Sequence, residues 1–421
     1  MSAPGFSPHT AETPTARAWR LLSGEPHRIM FFFGVLQSVA AMAWWLLDLT
    51  GSYVRWHEPV AWTMPPMWAH AWLLLYGVFP FFIFGFLMTA GPNWLGAPRT
   101  PRTAFVPAAM LMALGVVVFY AGLATHRTVI AAGAILHLGG WLWGVQALIR
   151  MAARHWNANA RYAIVIFTFL TAGMLGAMLY AFSVASASYA YIALALHGAV
   201  WFFLLPIFVG VSTRMVPFFS SRILGPQVDH RPAWARPALM GGVLAHGALE
   251  LGGAQAFLWL VDFPLAAIVA YLAVRWGLGR RGSVRLLAML HISLAALACA
   301  FLLYGGLSAA AAMGFVGHIG FAPLHLLVIG YFAATVMGMV SRVSLGHSGR
   351  ALEADALTWA CYLGVLLCAL LRVASELLRT TSAGSPLMIA AALVWLLSFG
   401  AWAWRYVPMY VMPRADASLK I

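Results

Sequence analysis

Twelve stretches of this chain run for roughly 17–25 residues with almost no charge, and any fold has to put them somewhere. They lie at about 29–49, 69–91, 104–124, 128–148, 162–183, 190–213, 235–252, 256–276, 286–309, 318–341, 356–378 and 386–408, the seventh being the shortest. A helix of about 20 residues is ~30 Å long, the thickness of the hydrocarbon layer of a bilayer. Hydrophobic residues make up 63% of the 421 and charged residues only 9%, against ~25% charged in soluble domains. Mean hydropathy is +0.85. The chain therefore reads as all-α, a polytopic membrane helix bundle of about twelve transmembrane helices. The bundle occupies residues 29–411. Residues 1–28 and 412–421 are expected as tails, the first disordered because it is rich in Pro, Ser and Thr.

The net charge of +14 raises the question of nucleic acid, and its distribution answers it. Basic residues sit between apolar runs, as in membrane proteins that fix their orientation by positive loops. With the N-terminus in the cytoplasm and loops alternating, every Lys and Arg except Arg55, Arg127, Arg372 and Arg379 falls on the cytoplasmic side. Both termini are then cytoplasmic, no nucleic-acid partner is expected, and membrane lipid is the surrounding partner. Residues before His27 contain no apolar core of a cleavable signal. Cys299, Cys361 and Cys368 lie in apolar runs without a CxxC, so neither disulfides nor a cysteine zinc site are expected.

Histidine carries the chemical interest. Seven of fourteen fall on spans: His70, His137, His197, His246, His291, His318 and His325. An ionisable group in hydrocarbon is costly and so more often functional than decorative. Any one imidazole is readily explained by a private hydrogen bond to a neighbouring helix. Seven on six spans, mostly within ~10–15 Å of the outer side at 1.5 Å per residue, argue instead for convergence on a bound metal. His291 alone lies nearer the cytoplasmic side. Haem iron and copper both accept imidazole, and bundles build such sites from inward side chains. Acids are few. His246 and Glu250 are one helical turn apart, and Asp262 follows on the next span; Glu250 and Asp262 are the candidates for a proton path. Arg372 and Glu376 repeat the one-turn spacing as a structural pair. The sequence has no HExxH, no Walker loop, no GxGxxG after a strand and no CxxCH, which argues against zinc proteolysis, nucleotide chemistry and covalent haem.

Three stretches resemble a known family. His70–Gly96 contains GFLMTAGPNWLG, Arg214–Phe219 reads RMVPFF, and Leu324–Arg350 reads LHLLVIGYFAATVMGMVSRVSLGHSGR. These are similar, in order, to the NnrS proteins' G-F-L-x-T-A-x-P-N-W-x-G, R-x-[IV]-P-F-F, H-x-L-x-x-G and R-x-S-L-G-H-[ST]-G-R. The resemblance implies a haem- and copper-containing protein of the bacterial inner membrane, linked to nitric oxide, nitrosative stress and denitrification. His70, His291 and His325 match family histidines and rank first as ligands; His137, His197 and His246 rest on depth alone. One departure stands out. The family's W-H-x-H-E is here Ala69-His70-Ala71-Trp72-Leu73, which puts one metal in doubt.

The reading is thus a haem b protein, with copper as the further family cofactor, that binds or reduces nitric oxide or another diatomic ligand. A nitric oxide reductase-like activity is one form it could take. Two alternatives stay open: a proton-coupled transporter of a small solute, and an assembly factor that hands on haem or copper without turnover. The near absence of mid-span charge weighs against the transporter.

Overall fold

The computed structural model describes residues 12–280 and 284–416. Among these, all regular structure is helical. Lipid offers no hydrogen bonds to the backbone, so an apolar run must satisfy its own polar groups, and the helix does so within one segment. A short helix, α1 (Pro14–Leu22), precedes twelve passes. These are α2 (Pro26–Val54), α3 (Pro66–Leu95), α4 (Arg102–Ala124), α5 (Arg127–Arg154), α6 (Ala158–Ala185) and α7 (Tyr189–Leu224). They continue with α8 (Ala235–Leu251), α9 (Trp259–Arg275), α10 (Arg285–Ala312), α11 (Ala322–His347), α12 (Ala356–Leu377) and α13 (Gly384–Val411). Ten are long and apolar enough to cross a membrane; α8 and α9, of 17 residues each, are the short pair. The tail expected to be disordered is corrected in part. Residues 1–11 and 417–421 lie outside the described residues, but Pro14–Leu22 is helical. Proline at its first position, the Thr13 hydroxyl accepting from Ala16 N and a Glu12–Arg20 ion pair of 2.8 Å start it.

The bundle has a centre and a rim. In α3, 83% of the most apolar window is buried, in α11 72%, and in α7 and α10 67%, against 33–39% in α4, α6, α12 and α13. The rim helices turn large apolar side chains outward, among them Trp404, Leu397 and Val117, as lipid-facing helices do. The three central helices that carry His70, His197 and His325 are all irregular. In α3, Pro80 cannot continue the helix, and the chain opens between Leu75 and Phe79. The two others widen into π-helix close after a histidine, at Val200–Leu204, which follows His197 by two intervening residues, and at Leu326–Ala333, directly after His325.

The α4–α5 hairpin shows how tightly the helices close. Gly115 on α4 faces Gly133 on α5, Gly122 faces Ile130, and Gly140 faces Ala108 and Met112; a methyl at any of these glycines would run into the opposing backbone. Small residues at such seams let helix axes approach in lipid. Gly133→Leu is therefore expected to lower stability by about 1–3 kcal/mol, the usual cost of overpacking. Gly139, beside open space, provides the comparison: Gly139→Leu should leave the detergent melting midpoint near that of the parent. Equal effects in the two melts would contradict the seam.

Candidate functional site

Two of the histidines meet. His70, in the first half of α3, and His325, at the start of α11, line one cavity enclosing ≈ 830 Å³ of empty space, its open margin included. Its walls are otherwise mainly apolar: Met42, Trp45, Leu74, Phe79, Val328 and Trp395 belong to it. The one cationic group there is Arg372, and Cys368 is also in the wall. His325 Nδ1 donates to the Phe321 carbonyl one turn earlier, at 2.7 Å. That bond fixes the tautomer and leaves Nε2 with its lone pair, the arrangement by which proteins orient a ligating imidazole. His70 lies flat on Trp45, ring centroids 4.2 Å apart, and its buried Nδ1 has no hydrogen-bond partner. Cys368 Sγ is engaged with the Ala391 carbonyl at 3.2 Å.

A second, polar cluster sits next door. His197 Nδ1 is 3.1 Å from Glu250 Oε1; Glu250 Oε2 is 3.8 Å from His246 Nε2; His246 Nδ1 is 2.6 Å from Asp262 Oδ1. Together they form one chain from a partly open imidazole to a fully buried carboxylate. His246 is held by Trp201 stacked on one face at 3.5 Å and by Tyr304 edge-on at 4.8 Å. His246 Nε2, Glu250 Oε2 and Asp262 Oδ2 are buried without hydrogen-bond partners. Unmet polar groups of this kind cost free energy in a low dielectric and mark a network built for something other than stability alone. His197 and Glu250 open on a cavity shared with His318, Phe321, Leu324, Glu376 and Arg379. Leu324 lines both cavities, and the 2.6 Å Arg372–Glu376 pair joins them, its arginine on one side and its glutamate on the other.

The remaining sequence candidates do not converge with these. His137 donates Nδ1–H to the Met112 carbonyl at 2.9 Å within a ring of Trp72, Phe81 and Trp141. His291, ranked with His70 and His325, faces the Ser220 hydroxyl at 3.0 Å between α10 and α7. The expectation of a single convergence is thus replaced by two neighbouring clusters and two separate rings. Helix contacts across the bundle, which spacing along one chain does not encode, make the difference. Sequence reasoning also missed a pair. His27, buried at the start of α2, and His347, at the end of α11, lie with ring centroids 4.5 Å apart. Both fall outside the apolar runs of the sequence, His27 in the N-terminal segment and His347 between the tenth and eleventh runs. His347 within SLGHSGR was the available signal. Among the described residues, no three His, Cys, Asp or Glu side chains gather as a metal-holding group.

The three distinctive stretches touch one another. The Arg214 guanidinium of RMVPFF lies over Trp94, 4.9 Å from its ring, and over Tyr162 at 5.1 Å. Arg342 covers Phe219, 4.1 Å from the ring. These cation–π contacts clamp the ends of α3, α7 and α11 that lie opposite His70, His197 and His325. A family match, described as NnrS protein, covers residues 21–414. The chain belongs to the NnrS family. No curated protein matches it. The apolar helices of this NnrS protein are those of a multi-pass membrane protein, and its three distinctive stretches meet in one packed seam.

The polar cluster makes a direct prediction. Asp262→Ala leaves His246 without its 2.6 Å partner and should destabilise the protein by on the order of 3 kcal/mol, as breaking a buried pair does. Asp229→Ala, removing an exposed partner of Arg231, should leave the melting midpoint close to the parent's. Equal midpoints for the two variants would mean that the buried contact contributes nothing.

Proposed function

We propose that this NnrS protein holds haem between His70 and His325 and uses it to bind a diatomic ligand, nitric oxide being the one the family points to. The observation that carries this is two imidazoles from separate central helices facing one apolar cavity, one with its tautomer fixed by the Phe321 carbonyl. The donor set fits such a group. Cofactor pockets have mainly apolar walls and a few placed polar groups, as this one has. His70 has an unpartnered buried nitrogen, and Arg372 supplies a cation for the carboxylates of a macrocycle. A copper centre fits less well: no third nitrogen or carboxylate donor joins the pair, and the Cys368 thiol is occupied. No step is assigned to copper.

Haem bound there would supply an iron atom able to take a small diatomic molecule. The chain's own residues do the rest. His325 and His70 are the imidazoles that would hold the iron, one of them exchanging for the diatomic ligand, with Trp45 holding the His70 ring in place. Met42, Phe79, Val328 and Trp395 exclude water, which strengthens every electrostatic contact inside. Glu250, His246 and Asp262, reached through His197, hold protons and pass them toward the shared wall at Leu324. In this reading the arginine-rich end faces the cytoplasm, the histidine end faces outward, and the membrane is the bacterial inner membrane.

A transporter is the second reading, because α3 is interrupted at mid-length and α7 and α11 widen, as helices around a transport site do. The optical spectrum separates the two. Gently purified protein should show a Soret band that shifts when nitric oxide is added under reducing conditions. His70→Ala and His325→Ala should each lose most of the haem, whereas His137→Ala and His291→Ala should keep it. A colourless protein, or full haem retention in both of the first two variants, overturns the proposal.

A further inference from the structure

Beside the histidine cavity lies another that is almost wholly apolar. It is enclosed by α2, α3, α7, α10 and α11 and holds ≈ 680 Å³ of empty space, open margin included. Phe31, Phe82, Phe208, Val211, Val336 and Met339 form most of its wall. Only two polar side chains reach it. Ser212 is already bonded to the Tyr331 hydroxyl at 3.0 Å, which leaves Thr335 with an unpartnered hydroxyl. A buried water needs two to four polar partners, and cavities that cannot provide them stay dry and take up apolar guests such as xenon.

The two cavities share a partition of three phenylalanines. Phe79 belongs to the histidine cavity and Phe208 to the apolar one. Phe332 packs on both, 5.7 Å from Phe79 and 4.6 Å from Phe208, and Phe79 and Phe208 are 5.8 Å apart. These three rings are what separates the two spaces.

We propose that the apolar cavity is a binding site for a small uncharged molecule of diatomic size, which passes Phe79 to reach His70 and His325. The identity of the natural guest rests on the haem reading above; the existence of the site does not. Polarity selects the class. An ion or a polar solute would lose its hydration and gain one hydroxyl, whereas a diatomic gas loses little on leaving water or lipid.

Xenon is the probe. Full-length protein in lipid nanodiscs should show one saturable site by xenon magnetic resonance, and crystals under xenon pressure should show density among Val211, Val336 and Met339. Val336→Phe should abolish it with melting midpoint and haem content unchanged, and Met339→Ala, which enlarges the space, should strengthen it. In haem-loaded protein Val336→Phe should slow nitric oxide association severalfold without changing the final spectrum. No saturable xenon site in the parent, an ordered lipid chain in the cavity, or unaltered association in a Val336→Phe variant that has lost xenon would each overturn the proposal. A colourless protein that still binds xenon, and loses it in Val336→Phe, supports the site while removing the haem reading.

Discussion

Inside hydrocarbon a carbonyl that loses its helical partner has to find another donor, and this demand shapes the centre of the bundle. Pro80 interrupts α3 and frees carbonyls in the turn before it. Gln37 of α2 donates its Nε2 to the Leu73 carbonyl at 3.3 Å, and the Gln37 side-chain oxygen in turn accepts from Tyr120 at 3.3 Å. Tyr76, at the break itself, donates across to the Ala195 carbonyl of α7 at 2.7 Å. The interruption is thus tied to three neighbours, and the short half-helix carrying His70 is aimed independently of the half that carries the GPNW turn. A continuous helix would couple those two directions rigidly.

The same separation recurs in α7 and α11, where π-helix follows His197 and His325. An extra residue per turn rotates everything after it by about 100° relative to everything before, given 3.6 residues per turn. Each histidine can then face its cavity while the remainder of its helix keeps the packing that Arg214 and Arg342 clamp at the other end. Polar groups are segregated rather than mixed. The carboxylates gather with His197 and His246, the apolar walls gather around His70 and His325, and Arg372–Glu376 bridges them. Arg372 brings the one charge into the wall of the His70 and His325 cavity, and Glu376 pairs with it from the neighbouring one.

Most of the architecture was legible because bilayer thickness imposes a length and hydropathy records it. The one-turn pairs were legible too: Arg372–Glu376 forms at 2.6 Å. His246–Glu250 shows the limit. Its spacing places the two on one face, yet at 3.8 Å they are not hydrogen-bonded, and His246 instead takes Asp262 from the next helix. Which helix faces which is a property of the packed bundle, so His291 could be ranked beside His70 while lying against Ser220. His27 and His347 were set aside because helix ends and loops look alike in composition. The N-terminal helix escaped for a related reason: its start depends on Thr13, Pro14 and Glu12, and a Pro- and Thr-rich stretch also resembles a disordered one.

The departure from the family pattern at position 72 bears on what the cavity can do. Residues two apart on a helix point about 200° from one another, so Trp72 and His70 occupy opposite faces of the first half of α3. Trp72 is fully buried and stacks on Phe119 at 3.9 Å with rings 4° from parallel, its edge toward His137. That face is packed with a large aromatic pair beside His137, whose Nδ1 donates to the Met112 carbonyl. The change is therefore confined to the α4–α5 side of α3. His70, held by Trp45 on the other side, keeps its approach to His325 whatever stands at position 72. In this chain the face of α3 at position 72 is given to packing.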